Sequence, residues 1–242
     1  MPTIDRTWLI RLAELVAIVL LSQFIPNIVV AAADALHVPL PVMPLLRHTY
    51  LYFALVILIC LYLWMRGESF ASIGLVAPQR WLVLIGRGLL IFVAILVFEI
   101  GVTPFIDPLI ARATGTGAHL GEIYFASVKG NLGLFLYLAF FGVFFGGFGE
   151  EILHRGFIMT RMAQLLGESR PAWIAAAVLQ AIPFALGHAY QGPVGMFGVF
   201  VIAILYAVGA TAWGRNLWPA IVAHAAFDTF GFWAIYSGIA HA

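Results

Sequence analysis

The stretch Phe148-Gly149-Glu150-Glu151-Ile152-Leu153-His154-Arg155-Gly156 decides how this chain is read. It ends an apolar, glycine-laced run that begins at Leu132, so two adjacent carboxylates and an arginine stand at the edge of a membrane-length segment. Ionisable groups within a bilayer are costly and mark a functional site by default. On a helix, residues four apart share a face. That pairs Glu151 with Arg155 and Glu150 with His154. Glu150 and Glu151 themselves sit about 100° apart around the axis, which assigns them different jobs. Arg155 can hold Glu151 through a charge-assisted hydrogen bond. Glu150 is then left to face a polar cavity as a candidate general base.

Composition sets the frame for that stretch. Of 242 residues, 63% are hydrophobic and 10% charged, and mean hydropathy is +1.03. A soluble domain is closer to about 45–50% apolar and about 25% charged. The expectation is an integral, multi-pass protein of the cytoplasmic (inner) cell membrane, with the lipid bilayer as its surroundings. A formal net charge of +1 suggests no nucleic-acid partner. The single cysteine, Cys60, cannot form an internal disulfide. The apolar run from Leu12 is longer than the ~7–15 residues of a signal-peptide core and carries Glu14, so it reads as a retained first helix.

A crossing helix needs about 20 apolar residues. Spans are therefore expected at Trp8–Val30, Leu45–Met65, Trp81–Val102, Leu132 to beyond Arg155, Ala172–Ala189, Val194–Trp213 and Leu217–Ser237. That makes seven, or eight if Gly142, Gly146, Gly147 and Gly149 break the region from Leu132 to Leu166 in two. The connections are Pro39–Pro44, Gly67–Pro78 and the long stretch Pro104–Gly130. Trp8, Trp64, Trp81, Trp173 and Trp218 fall near span ends, as an aromatic belt requires. With seven spans, Arg6, Arg11, Arg66, Arg80, Arg161, Arg170 and Arg215 share one side, against Arg47, Arg112 and Lys129 on the other. The positive-inside rule then places the N-terminus in the cytoplasm. The expected fold class is all-α: one polytopic transmembrane helical bundle with a candidate active site in an intramembrane cavity. N-terminal helices and loops are expected over 1–129 and a helical core that carries the site residues over 130–242.

Two later stretches supply partners for Glu150: Phe184-Ala-Leu-Gly-His188 and His224-Ala-Ala-Phe-Asp228, each with its end residues four apart on one face. A carboxylate and a histidine can hold and deprotonate a water. A second histidine can donate to the oxyanion of a tetrahedral intermediate. Glu150-Glu151-x-x-x-Arg155, Phe184-x-x-x-His188 and His224-x-x-x-Asp228, in that order, resemble the three motifs of the CAAX protease and bacteriocin-processing family. Gln191-Gly-Pro-Val-Gly and Gly214-Arg-Asn-Leu-Trp-Pro-Ala-Ile-Val-Ala-His224 resemble bacterial members, and the likeness covers residues 130 to 235. It implies an intramembrane endopeptidase acting on a membrane-associated peptide or protein. Glu150 and His188 would activate water, and His224 and Asp228 would serve the oxyanion or the cavity's architecture. Glu151, Arg155 and Phe184 are supporting residues.

Two positions depart from the family pattern. His154 stands where members often carry an aromatic, and Asp228 stands where better-studied members carry Asn. An ionised Asp228 would repel an oxyanion, so it must be protonated, orient His224 or bind a metal. The preferred mechanism needs no cofactor. Its alternative is a zinc site of His188, His224 and Glu150 or Asp228, although the chain has no His-Glu-x-x-His pair to anchor one. The competing function is an idle scaffold or immunity-type protein that binds a peptide with the same bundle. A proton-coupled carrier predicts symmetry between halves of the chain, which the sequence lacks. A closed bundle of this kind can work as a monomer. Glu14, Arg87 and Glu99 lie near span ends, where snorkelling suffices to explain them. Gln180 is expected to make a helix-helix hydrogen bond, and His37, His48, His119 and His241 receive no role.

Overall fold

The computed structural model describes residues 5–35, 44–116 and 125–239. The expected connection around Pro39 and the residues His37, His119 and His241 lie outside or partly outside these ranges. Nine α-helices are found among the described residues: α1 (Arg6–Ala35), α2 (Pro44–Met65), α3 (Trp81–Gly101), α4 (Thr103–Thr114), α5 (Leu132–Phe141), α6 (Met159–Leu165), α7 (Arg170–Gly187), α8 (Gly192–Thr211) and α9 (Trp218–Ser237). A π-helical stretch, Gly142–Ile158, joins α5 to α6. The described residues form no strand, in keeping with an all-α bundle.

Helix starts follow local chemistry. Asn131 and Ser169 cap α5 and α7 by accepting from the amides of Leu134 and Ala172. Proline stands in the first turn of α4, α7, α8 and α9, where its missing N–H has no intrahelical acceptor to lose. Five stretches are long and apolar enough to cross a bilayer: Arg6–Phe24, Trp81–Gly101, Leu132–Leu165, Arg170–Gly187 and Ala189–Thr211. Ala54–Met65 within α2 adds a shorter apolar stretch. The remaining expected span, α9, is lowered in hydropathy by His224 and Asp228, and it packs in the middle of the bundle against α3, α5, the π-helical stretch and α8.

The glycines do not break the region after Leu132. Leu132–Leu165 runs on as one 34-residue helical rod, which changes hydrogen-bond pattern at Gly142 instead of ending. A wide π-turn is the usual local form of a functional irregularity in a helix, and here it carries the whole Glu150–Arg155 segment. The expected connection Pro104–Gly130 also differs from a loop. It contains α4, with Pro104 in its first turn and Pro108 inside it.

One end of the bundle is clamped by polar contacts. Arg161 is buried between Glu14 of α1 and Glu68 after α2, at 2.8 Å from each carboxylate, and the Tyr62 hydroxyl bonds Glu14. Trp8 Nε1 donates to Leu165 O and Trp218 Nε1 to Val76 O, while the Arg215 guanidinium lies 4.4 Å over the Trp173 ring. Glu14 is thus an ion-pair partner and Arg87 stacks on Trp213 at 5.2 Å; neither merely snorkels. At the opposite end, Gly130 N donates to Tyr236 O and ties the start of α5 to the end of α9. The core between these ends is aliphatic, built on Leu63, Ile95, Leu153, Ile158 and Leu217.

Candidate active site

The site forms where α9 meets the π-helical stretch, and small residues let the two backbones approach. A Cβ added at Gly146 would lie 2.3 Å from Asp228 Oδ2 and 3.1 Å from His224 Nε2; one at Gly142 would lie 2.7 Å from Asp228 Cβ. Gly147 meets Ala225, and on the far side of α9 a Cβ on Gly88 of α3 would fall 2.5 Å from Val222. Close approach through small residues is how membrane helices gain packing without a hydrophobic driving force. Of the two roles open to these glycines, a break or close packing, the structure shows close packing, which seats α9 against the helix.

His224 is the hub of the polar cluster. Its Nδ1 lies 2.8 Å from Glu151 Oε1, the same oxygen that accepts from Arg155 Nη1 at 2.7 Å. The carboxylate can only accept, so Nδ1 carries a proton and the ring's tautomer and orientation are set, as an acidic partner sets them in a catalytic triad. The Arg155 Nη2 donates to Ala203 O of α8, which also accepts from Gln180 of α7. Glu151 and Arg155 are almost wholly buried, a pair that excludes water and fixes three helices together. The other His224 nitrogen, Nε2, stands 3.8 Å from Glu150 Oε2 and 3.7 Å from Asp228 Oδ2. Glu150, Glu151, His224 and Asp228, four of the singled-out residues, therefore converge on one imidazole.

Phe184 spaces the remaining members. Arg155 Cζ lies 4.3 Å from its ring centroid, and the His154, His188 and His224 rings stand at 4.8, 4.9 and 6.2 Å. His188 follows the last residue of α7. There its Nδ1 reaches the Phe184 carbonyl at 2.9 Å, so Nδ1 donates and Nε2 of the neutral ring is left as an acceptor. His188 at the end of α7 and His224 within α9 line one cavity of about 380 Å³.

That cavity is lined by Phe184, His188, Tyr206, His224 and Asp228 and reaches Glu99 and Asp107 toward the α4 end. Glu150 is not part of this lining; it touches the site through its approach to His224. Sequence reasoning did not single out Tyr206 or Asp107, and it gave Glu99 no part in the site. Tyr206 sits in an unmarked apolar run of α8, and only its period relative to the helix face could have flagged it. Gln180 makes the helix-helix bond expected of it. His154 is fully buried, and among the described residues neither of its nitrogens has a hydrogen-bond partner. Its part is aromatic, an edge against Phe184. Among the described residues, no group of three or more His, Cys, Asp or Glu side chains is placed to hold a metal ion.

No curated protein and no solved structure matches the chain significantly. A family model does: the one described as type II CAAX prenyl endopeptidase Rce1-like matches residues 131–230. That range begins at the cap of α5 and ends just beyond Asp228, and it contains all three motifs. The helical, strongly apolar architecture marks an integral membrane protein. Over residues 131–230, less than half of its length, the chain is similar to the type II CAAX prenyl endopeptidases that this family model describes.

Proposed function

We propose that this protein is an intramembrane endopeptidase that hydrolyses a peptide bond of a membrane-associated peptide or protein, with Glu150 as the base that activates water. The observation that carries this reading is the approach of Glu150 and Asp228 to His224, whose ring lines a cavity large enough for a short extended segment. Separations of 3.7 and 3.8 Å are too long for direct hydrogen bonds, so Nε2 of His224 is left to meet a substrate oxygen.

In this reading, a water that donates to Glu150 and to Nε2 of His188 gives up a proton to Glu150 as its oxygen bonds to the scissile carbonyl carbon. The electron pair of the C=O bond moves to the oxygen, and His224 donates to that oxyanion from Nε2. A ring donating from both nitrogens is cationic, and Glu151 and Asp228 supply the counter-charge once Glu150 is protonated. Glu150 then returns the proton to the leaving nitrogen as the C–N bond breaks. Glu151 and Arg155 never touch substrate; they hold His224 in register. Asp228 orients His224 and closes the cavity wall. The preferred steps use no metal; the alternative is a zinc ion held by His188, His224 and a carboxylate, which would supply the activated water instead.

The test is cleavage of a quenched peptide library by detergent-purified protein, comparing wild type with Glu150→Ala, with and without a chelator. Cleavage that disappears in Glu150→Ala and ignores the chelator supports the reading. Loss with chelator and rescue by zinc would replace it with the zinc set. Silence of a folded wild type on every substrate would turn the assignment toward a peptide-binding scaffold.

A further inference from the structure

Tyr206 of α8 is 1% exposed, yet it lines the catalytic cavity. Its ring lies almost parallel to the His224 imidazole, with centroids 4.4 Å apart and planes 16° from each other. Arg155 stands over the ring at 5.0 Å. The stack alone would be served as well by phenylalanine. What phenylalanine lacks is the hydroxyl, and among the described residues nothing pairs with it. The buried hydroxyl of a tyrosine normally finds a partner, as that of Tyr62 does in Glu14. Leaving a buried polar group unpaired is costly, so a buried phenol whose residue lines the cavity calls for a partner that arrives from outside the chain.

We propose that Tyr206 is a catalytic residue, a second donor to the reaction: its Oη donates to the scissile carbonyl oxygen as that oxygen becomes an oxyanion. The hydroxyl transfers no proton and stays neutral, so the balance of the hydrolysis is unchanged. The same ring stacks on the His224 imidazole, so the two donors belong to stacked residues that line one cavity. The chemistry recognised is a peptide carbonyl, with no requirement on the side chains beside it. This inference rests on the endopeptidase reading given above.

Tyr206→Phe removes the donor and keeps the stack. Loss of one oxyanion donor costs about 10²–10³ in kcat, and because the bond strengthens in the transition state, KM should stay within about twofold. The melting temperature in detergent should hold or rise, since an unpaired hydroxyl has been removed. A kcat within about twofold of wild type overturns the proposal, and so does a fall in kcat matched by a fall in melting temperature. Tyr206→Leu, which loses ring and hydroxyl together, should lose activity and stability both. Glu150→Gln assayed beside them keeps the two readings apart. If Glu150→Gln still cleaves while Tyr206→Phe does not, the base assignment fails and the donor stands. A wild type without activity on any peptide overturns both.

Discussion

Gly146→Ala offers a sharp test of the idea that glycine contacts hold the catalytic helix in place. The added methyl would start 2.3 Å from Asp228 Oδ2 and 3.1 Å from His224 Nε2, well inside ordinary contact. Asp228 Oδ2 is the far end of a side chain that is about a quarter exposed toward the cavity, so it can swing away at modest cost. Overpacking a tight interface costs typically about 1–3 kcal/mol, and alanine recovers up to about 1 kcal/mol over glycine in a helix. The net loss of stability should therefore be about 1 kcal/mol. Activity should suffer more. A swing of Asp228 or a shift of His224 by about 1 Å spoils the 3.7–3.8 Å arrangement at Nε2, and misplacement on that scale can cost about 10² in rate.

Two neighbours serve as controls within the same helix. At Gly142 the obstacle is Asp228 Cβ at 2.7 Å, an atom fixed to the backbone, so α9 itself must move and stability should fall by more than in Gly146→Ala. At Gly149 the nearest atoms are 3.7–3.9 Å away, and Gly149→Ala should leave melting temperature and cleavage unchanged or slightly improved. The assay is kcat/KM on a quenched peptide, with thermal melting in the same detergent. If Gly146→Ala cleaved as fast as Gly149→Ala, the close approach of α9 to the π-helical stretch could not be what positions His224 and Asp228.

Other substitutions separate the roles of the charged groups. Glu150→Gln should abolish cleavage and leave melting unchanged, whereas Asp228→Asn, which places the amide of better-studied family members there, should keep most of the activity; the reverse order would make Asp228 the base. Arg155→Ala leaves the Glu151 carboxylate buried without its cation, which costs about 3–5 kcal/mol for such pairs, so loss of folded protein should accompany loss of cleavage. Arg161→Ala should lower the melting temperature without changing kcat of the protein that remains folded, because its ion pairs to Glu14 and Glu68 lie at the far end of the bundle. Within that network Glu14→Ala should cost more than Glu68→Ala, since the Glu68 carboxylate is about a quarter exposed and the Glu14 carboxylate is not.

What was legible in the sequence, and what was not, divides along physical lines. Hydropathy alone marks a helical membrane bundle, since a bilayer forces every backbone group of a span to be satisfied within it. Charges in such a chain are rare enough that Glu150, Glu151, Arg155, His224 and Asp228 identify themselves, and the spacing of four correctly pairs Glu151 with Arg155. Contacts between helices are another matter. Nothing in the spacing says that Glu151 would also take His224, because that bond joins residues 73 apart. The glycines are compatible with a break or with close packing, and only the fold shows that their lack of a side chain matters to α9 across the interface. Tyr206 looks like any aromatic in an apolar run. Glu99 looks like a residue near a span end, yet it lines the cavity together with Thr103 and Asp107 of α4, a helix where a loop was expected. A π-helical stretch is hidden for a further reason: its hydrogen bonds run to a partner five residues away, so the side-chain period that betrays an α-helix is displaced where Glu150 and Glu151 sit. The part of the site that one helix holds by itself can thus be read from the chain. The part that depends on which helix lies beside which needs the fold, and that is where His224 acquires its orientation and Tyr206 its role.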